Sequence, residues 1–171
     1  MLPYRIGQGF DIHRLEEGYE LTLGGVKIDY HKGLKGHSDA DVLIHAIIDA
    51  VLGSVALQDI GRHFPPTDPQ YKNIDSTILL KKTLELLSEK GYTLVNIDST
   101  IIAQEPKLKD SIDLIRNKLS QIMGLELEAI SVKAKTMEKL GPVGEGLAIE
   151  AQAVVLAEKA FRSSCQRVCQ L

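Results

Sequence analysis

A chain of 171 residues is long enough for one domain with a hydrophobic core and too short for two ordinary ones. With 44% hydrophobic residues, 25% charged residues and a net charge of -3, it has the composition of a soluble globular protein; a nucleic-acid binder working through a basic field is excluded, and an anionic ligand would need a local site. The opening "MLPYRIGQGF" lacks a basic stretch followed by an apolar core and no later run approaches bilayer length, so a cytoplasmic, non-membrane protein is expected.

"YRIGQGFDIH" reads as a first strand, with Tyr4, Ile6, Phe10 and Ile12 on even positions and glycines where backbone can come close. "ELTLGGVKID" alternates around Gly24-Gly25, the signature of a two-residue hairpin. "SDADVLIHAIIDAVLG" predicts a helix with Ser38 as N-cap, Asp41 completing a capping box and Gly53 as the stop. "ALQDIGRHFPPTDPQYKN" has three prolines and no period, which fits a lid or binding loop between two patterned elements better than a disordered linker. An amphipathic helix follows in "IDSTILLKKTLELLSEKG", then a strand in "YTLVNIDSTIIAQ", a helix in "LKDSIDLIRNKLSQIMG" closing at Gly124, and strands in "AISVKAKTM" and "GLAIEAQAVVLA". The order predicts an α+β fold with helices on one face of a single mixed sheet. The terminal "SSCQRVCQL" holds the only cysteines, Cys165 and Cys169, so there is no disulfide framework, and their C-x3-C spacing reads as incidental.

Residues two apart on a strand share a face, so Asp11 and His13 present a carboxylate and an imidazole together. In the first predicted helix only Asp41, His45 and Asp49 interrupt an apolar surface, and their spacing of four makes one polar stripe that needs a partner when buried. Asp11, His13 and His45 together would supply one oxygen and two nitrogens with a fourth position open, the pattern of a catalytic zinc. The plainer alternatives are that Asp41 serves the capping box alone and that His45 is a satisfied core histidine. Gly36, His37 and Ser38, placed before the helix, could offer N–H groups and donors to a phosphate, or Ser38 could be an ordinary cap.

"GFDIHRL", "GHSDADVLIHAIIDAVLG", "DIGRHFPPTDP", "IIAQEPKL" and "VKAKTMEKLG", in this order, resemble the methylerythritol cyclodiphosphate synthase family over about residues 4 to 160. The resemblance implies a synthase domain at 1–160 with a tail at 161–171, a ferredoxin-like sandwich, and a homotrimer with active sites between subunits. It implies conversion of a cytidine-diphosphate derivative of methylerythritol phosphate into a cyclic diphosphate with release of CMP, in the non-mevalonate route to isoprenoid precursors. Asp11, His13 and His45 would then hold zinc, and Glu138 would meet a second divalent cation, magnesium or manganese. His37 and Thr136 match the pair that stabilises the transition state, and Ser38 matches a phosphate contact. Asp59, Ile60 and Gly61 match the positions at the methylerythritol hydroxyls, with Phe64, Pro65, Pro66, Thr67 and Asp68 as a mobile flap. Ala103, Pro106, Lys107, Leu108 and Lys109, with Ala134 and Lys135, match the cytidine pocket. Three departures stand out: "PVGEG" replaces a longer loop carrying G-R-G-E-G, Pro66 replaces a flap acid, and Lys135 and Met137 replace hydroxyl residues. None falls on the zinc set, so activity is expected to be kept with altered flap and nucleotide contacts. A zinc phosphoesterase releasing a phosphomonoester, and a zinc-stapled binding module, are the competing readings; the second is disfavoured by three ligands and no nearby cysteine.

Overall fold

The first strand, β1 (Tyr4–Glu17), alternates as expected, but its core side is the odd register and not the apolar even one. In the computed structural model, which describes residues 3–160, Gly7 and Gly9 are buried while Ile6, 72% exposed, and Phe10, 46% exposed, face outward. The reason is the closeness of the first helix, α1 (Val42–Ser54). A Cβ on Gly7 would lie 1.8 Å from the Ala50 carbonyl oxygen, and one on Gly9 2.0 Å from that of Ala46, so only glycine lets the helix backbone rest on the strand.

α1 is buried nearly all round, as its composition predicts, and each fully enclosed Ile, Leu or Val contributes roughly 1.5 to 3 kcal/mol. Its ends differ from the sequence expectation. The N-cap is Asp41, whose carboxylate accepts from Ile44 N at 3.0 Å, while Ser38 lies outside the helix. Ala40, at φ 56°, holds the left-handed conformation that keeps the preceding residues from joining the helix. At the other end the helix runs through Gly53 to Ser54, so Gly53 is an exposed helical residue and not a stop.

The main sheet is mixed, in the order β4-β1-β7-β5-β6, with β4 at Lys32–Lys35, β5 at Tyr92–Ile102, β6 at Ile130–Lys135 and β7 at Ala148–Lys159. Only β5 and β6 run parallel; the other pairs are antiparallel. β7 puts Ile149, Ala151, Ala153, Val155 and Ala157 on the covered face, and its small residues give α1 room. α3 (Ser76–Glu89) packs near β5 and α4 (Ile112–Met123) near β6. Both helices end where the glycine signals predict: Gly91 and Gly124 have φ of 77° and 65°.

The hairpin β2 (Leu21–Leu23) and β3 (Val26–Ile28) stands apart as a separate two-stranded sheet, turning through Gly24 and Gly25 at φ 61° and 74°. The prediction of one sheet is corrected to that extent, and β4 was not foreseen because "KGLK" has too little apolar alternation to read as a strand. The proline-rich segment is tighter than an unstructured loop, holding the single-turn α2 (Ile60–His63) and a 3-10 turn at Pro69–Tyr71. "PVGEG" begins inside another short turn, α5 (Gly141–Gly144), whose Val143 joins Ile102 and Ala148 in a small separate cluster. The 161–171 tail, with Cys165 and Cys169, lies outside the described residues.

Candidate active site

Adjacent odd positions on β1 bring Asp11 and His13 to the covered face, where α1 presents His45 opposite them. His45 Nδ1 lies 2.9 Å from Asp11 Oδ2 and 3.1 Å from His13 Nε2, and His13 Nε2 lies 3.0 Å from the same Asp11 oxygen. Three donor atoms thus form a near-equilateral triangle. Ligands about 2.0 to 2.1 Å from one tetrahedral ion lie roughly 3.3 Å apart, so this triangle has the size of three ligand atoms around one metal. The three residues the sequence singles out form a group that could hold a metal ion.

The outer atoms of each ring set its orientation. His13 Nδ1 sits 3.0 Å from the Lys35 carbonyl oxygen and donates its proton there, which leaves the Nε2 lone pair directed at the triangle. His45 faces the triangle through Nδ1, and its Nε2 lies 2.9 Å from Ser76 Oγ and 3.1 Å from Ser38 Oγ. The two histidines therefore present different nitrogens to the same point.

Burial pushes the Asp11 carboxyl up, but hydrogen bonds from His13 and His45, and their charge, outweigh it and hold it well below the usual carboxylate range. Burial pulls His13 down, yet the bond to Asp11 and its negative charge raise the ring above its ordinary value. Without a metal the three atoms are held together by hydrogen bonds between the carboxylate and the rings; a divalent cation would displace the hydrogen between them.

The polar stripe on α1 divides into three separate tasks. Asp41 is fully buried and accepts from Gly24 N at 2.9 Å and Gly25 N at 2.7 Å as well as capping the helix. Its carboxylate occupies the helix N-cap; Gly36, His37 and Ser38 precede Val42 by four residues or more, and His37 and Ser38 line the cavity beside the triangle. Asp49 accepts from Ile60 N at 2.7 Å and anchors the start of α2, with burial raising its carboxyl.

A cavity of about 250 Å³ beside the triangle is lined by His37, Ser38, Ile60, Gly61, Phe64 and Pro66 among the expected residues. Asp59 does not line it and instead caps α2, accepting from Arg62 N at 3.0 Å. Pro65, Thr67 and Asp68 do not line it; Asp68 instead caps the 3-10 turn. A second cavity of about 500 Å³ is lined by Ala103, Pro106, Lys107, Leu108, Lys109, Ala134, Lys135 and Thr136. Thr136 Oγ1 donates to Glu138 Oε1 at 2.6 Å, while Glu138 and Lys139 take φ of 50° and 65° in the turn beyond.

These two cavities do not meet within one chain. Asp11, Ala151, Ile101 and Ala134 are register partners across β1, β7, β5 and β6. Three strand spacings, roughly 14 Å, separate the triangle's strand from the second cavity's strand, so His37 and Thr136 fall in different cavities.

Sequence reasoning missed Tyr71 and Leu79 in the first cavity and Gln104 and Ile112 in the second. It also missed Ser76, which read as part of a helix start; Asp75 is the cap, and Ser76 turns inward to His45. Nothing in local spacing marks that contact, which spans 31 residues.

The profile of the YgbB family matches residues 4–158. The chain is 57% identical to the 2-C-methyl-D-erythritol 2,4-cyclodiphosphate synthase of Porphyromonas gingivalis over 154 residues, covering 90% of this chain and 95% of that protein. It is 57% identical to the synthase of the same name from Natranaerobius thermophilus over 157 residues, covering 92% of this chain and 99% of that one. Among solved structures, a CDP complex of IspF from Plasmodium falciparum superposes with a TM-score of 0.82 at 38% identity, covering 94% of this chain and 99% of that one. Sequence and fold agree, and the chain belongs to the YgbB family.

Proposed function

We propose that this chain is the cyclodiphosphate synthase of the non-mevalonate isoprenoid route, a phosphorus–oxygen lyase that converts a CDP-methylerythritol 2-phosphate into methylerythritol 2,4-cyclodiphosphate and CMP. The observation that carries the reading is the Asp11, His13 and His45 triangle opening onto a cavity lined by His37, Ser38, Ile60, Gly61, Phe64 and Pro66, residues of the motifs that carry the family resemblance. The donor set of one oxygen and two nitrogens favours zinc, held by those three side chains. When bound, zinc would polarise a substrate phosphate oxygen, and a second cation, magnesium or manganese, held with Glu138 would neutralise diphosphate charge.

The chain's own task is alignment. One P–O bond forms, between an oxygen of the 2-phosphate and the distal phosphorus of the diphosphate, and the P–O bond to CMP breaks, the departing CMP keeping the electron pair. No protein nucleophile is needed. In this reading Asp11, His13 and Ser38 bear on the phosphates, and His37 and Thr136 donate to oxygens that gain charge. Asp59, Ile60 and Gly61 hold the methylerythritol hydroxyls, and Phe64 to Asp68 form the flap. The cytidine sits against Ala103, Pro106 to Lys109, Ala134 and Lys135.

The roughly 14 Å between the two cavities' strands supports a site built from two copies, the triangle of one facing the nucleotide cavity of its neighbour. The exposed Tyr4, Ile6, Phe10 and Ile12 on the uncovered sheet face favour the same conclusion, a homotrimer of ferredoxin-like sandwiches. Among the described residues no helix is long and apolar enough to cross a membrane, which is compatible with a cytoplasmic enzyme. Residues 1–160 would be the synthase domain and 161–171 a tail outside it.

The deciding experiment is phosphorus NMR of the products formed from the cytidine-diphosphate substrate with magnesium, beside a His45→Ala control. Two coupled signals of a cyclic diphosphate plus CMP, absent in the control, are expected. A linear phosphomonoester would instead favour the hydrolytic alternative.

A further inference from the structure

Behind His45, on the side away from the triangle, lies a chain of buried and half-buried polar groups that neither the metal set nor the substrate cavity accounts for. Ser76 Oγ is 2.9 Å from His45 Nε2 and donates its own proton to Asp39 Oδ1 in a short hydrogen bond. Asp39 Oδ2 also accepts from Ser76 N at 3.0 Å, so the carboxylate holds this serine by backbone and hydroxyl together. Ser76 is fully buried and Asp39 half-buried, so the Ser76 hydroxyl itself is out of reach of water.

A serine hydroxyl has one proton. With that proton donated to Asp39, its oxygen can only accept from His45, so Nε2 carries hydrogen, and in the neutral ring Nδ1 is the bare nitrogen. That is the tautomer a metal at the triangle requires. A direct carboxylate partner would place a full negative charge against the ring; the interposed hydroxyl passes on part of that polarisation and fixes the ring's angle.

The backbone of Asp39 reaches the end of the proline-rich segment. Asp39 N donates to the Ile74 carbonyl at 3.1 Å, and Asn73 N donates to the His37 carbonyl at 2.8 Å. The segment therefore rejoins the body of the protein at the residues that orient His45. Ser38, with Oγ 3.1 Å from His45 Nε2 and 3.5 Å from Ser76 Oγ, borders the same point and accepts from Ala40 N at 3.2 Å.

We propose that Asp39 and Ser76 are positioning residues that lock His45 in its Nδ1-ligating form and join the metal site to the root of the proline-rich segment. The inference rests on the metal reading of Asp11, His13 and His45. Outer partners of metal-bound histidines typically govern affinity by roughly 10- to 100-fold.

The test is zinc affinity, measured by competition with a chromophoric chelator, for the wild-type protein, Ser76→Ala, Asp39→Asn and the double variant. Metal-free thermal melting and the visible spectrum of the cobalt-loaded forms are recorded on the same samples. Ser76→Ala should weaken zinc binding at least about tenfold and alter the cobalt spectrum while the metal-free protein still melts cooperatively. Asp39→Asn should weaken binding in the same direction, and the double variant should bind as Ser76→Ala does, because Asp39 acts through the serine. Ser76→Thr, which keeps the hydroxyl, should restore much of the affinity. Wild-type affinity in Ser76→Ala, or fully additive losses in the double variant, would overturn the relay. Absence of stoichiometric zinc binding by the wild-type protein would instead overturn the metal reading beneath it.

Discussion

The two faces of β1 are built from opposite materials. On the covered face stand Gly7, Gly9, Asp11 and His13, with no large apolar side chain until Leu15; on the open face stand Tyr4, Ile6, Phe10 and Ile12. A count of apolar residues would assign the faces the other way round. The covered face is small because α1 lies directly on the backbone, and this closeness brings His45 within reach of a carboxylate and an imidazole on the strand. The open face is apolar without a helix above it, as expected for a surface met by another copy of the chain. Chemistry occupies the tight face, and association is assigned to the wide one.

Removing the metal-binding side of this contrast should have the largest effect. His45→Ala is expected to abolish stoichiometric zinc binding and lower kcat by about a thousandfold or more, read by CMP release. Retained turnover would detach the triangle from catalysis. Next, Gly9→Ala drives a Cβ into backbone atoms at 2.0 Å and 2.6 Å, which cannot rotate away. A loss of about 3 kcal/mol or more is expected in urea unfolding, together with weaker zinc binding as α1 lifts from β1.

The open face is probed by Ile6→Asp, at the most exposed of its apolar residues. If this face closes the proposed trimer, sedimentation should show a shift to monomer, with zinc affinity unchanged because the triangle is on the other side of the strand. An unaltered sedimentation coefficient would mean the apolar face is not the contact.

pH gives a smaller effect of definite direction. His13 titrates above 6.5 in the folded protein through its bond to Asp11, so without metal this contribution to stability is present below 6.5 and lost as pH rises through the folded value. Zinc needs the ring deprotonated, so its affinity should rise with pH over the same window, by up to about tenfold per unit. The zinc-induced gain in Tm should therefore be larger at pH 8 than at pH 6; a pH-independent gain would exclude His13 as a ligand. The smallest expected effect comes from Gly53→Ala, on the far end of the helix that Gly9 supports. An added Cβ there meets nothing nearer than 3.8 Å, and a gain of about 0.5 to 1 kcal/mol is expected.

Much of this was legible in the sequence because the signals were local. The D-x-H pair on a strand, the polar breaks in an otherwise apolar helix, the Gly24-Gly25 turn and the glycines after α3 and α4 all act within a few residues. What was misread depends on distant geometry. Ser38 satisfies the local rule for a cap, but Ala40 adopts a left-handed φ and Asp41 is drawn to Gly24 and Gly25, so the cap moves by three residues. Alternation in β1 gave the strand and not which side was covered, since the deciding fact is where α1 lands. Ser76 looked like one more polar residue at a helix start until the fold carried it to His45.

The place of β7 also shapes how the molecule is made. It is the last strand among the described residues and the middle strand of the sheet, joining Tyr4 to Glu158 at one extreme of the register. During synthesis, the segments bearing Asp11, His13, His45 and Ser76 emerge well before it, and can meet around α1 with only β4 as a sheet partner for β1. The two halves of the sheet, β4-β1 and β5-β6, stay unjoined until the final strand slots between them. Such long-range closure belongs to the slow end of single-domain folding, milliseconds to seconds, and a cation captured early by the first half would hold it in shape while the ribosome completes the second.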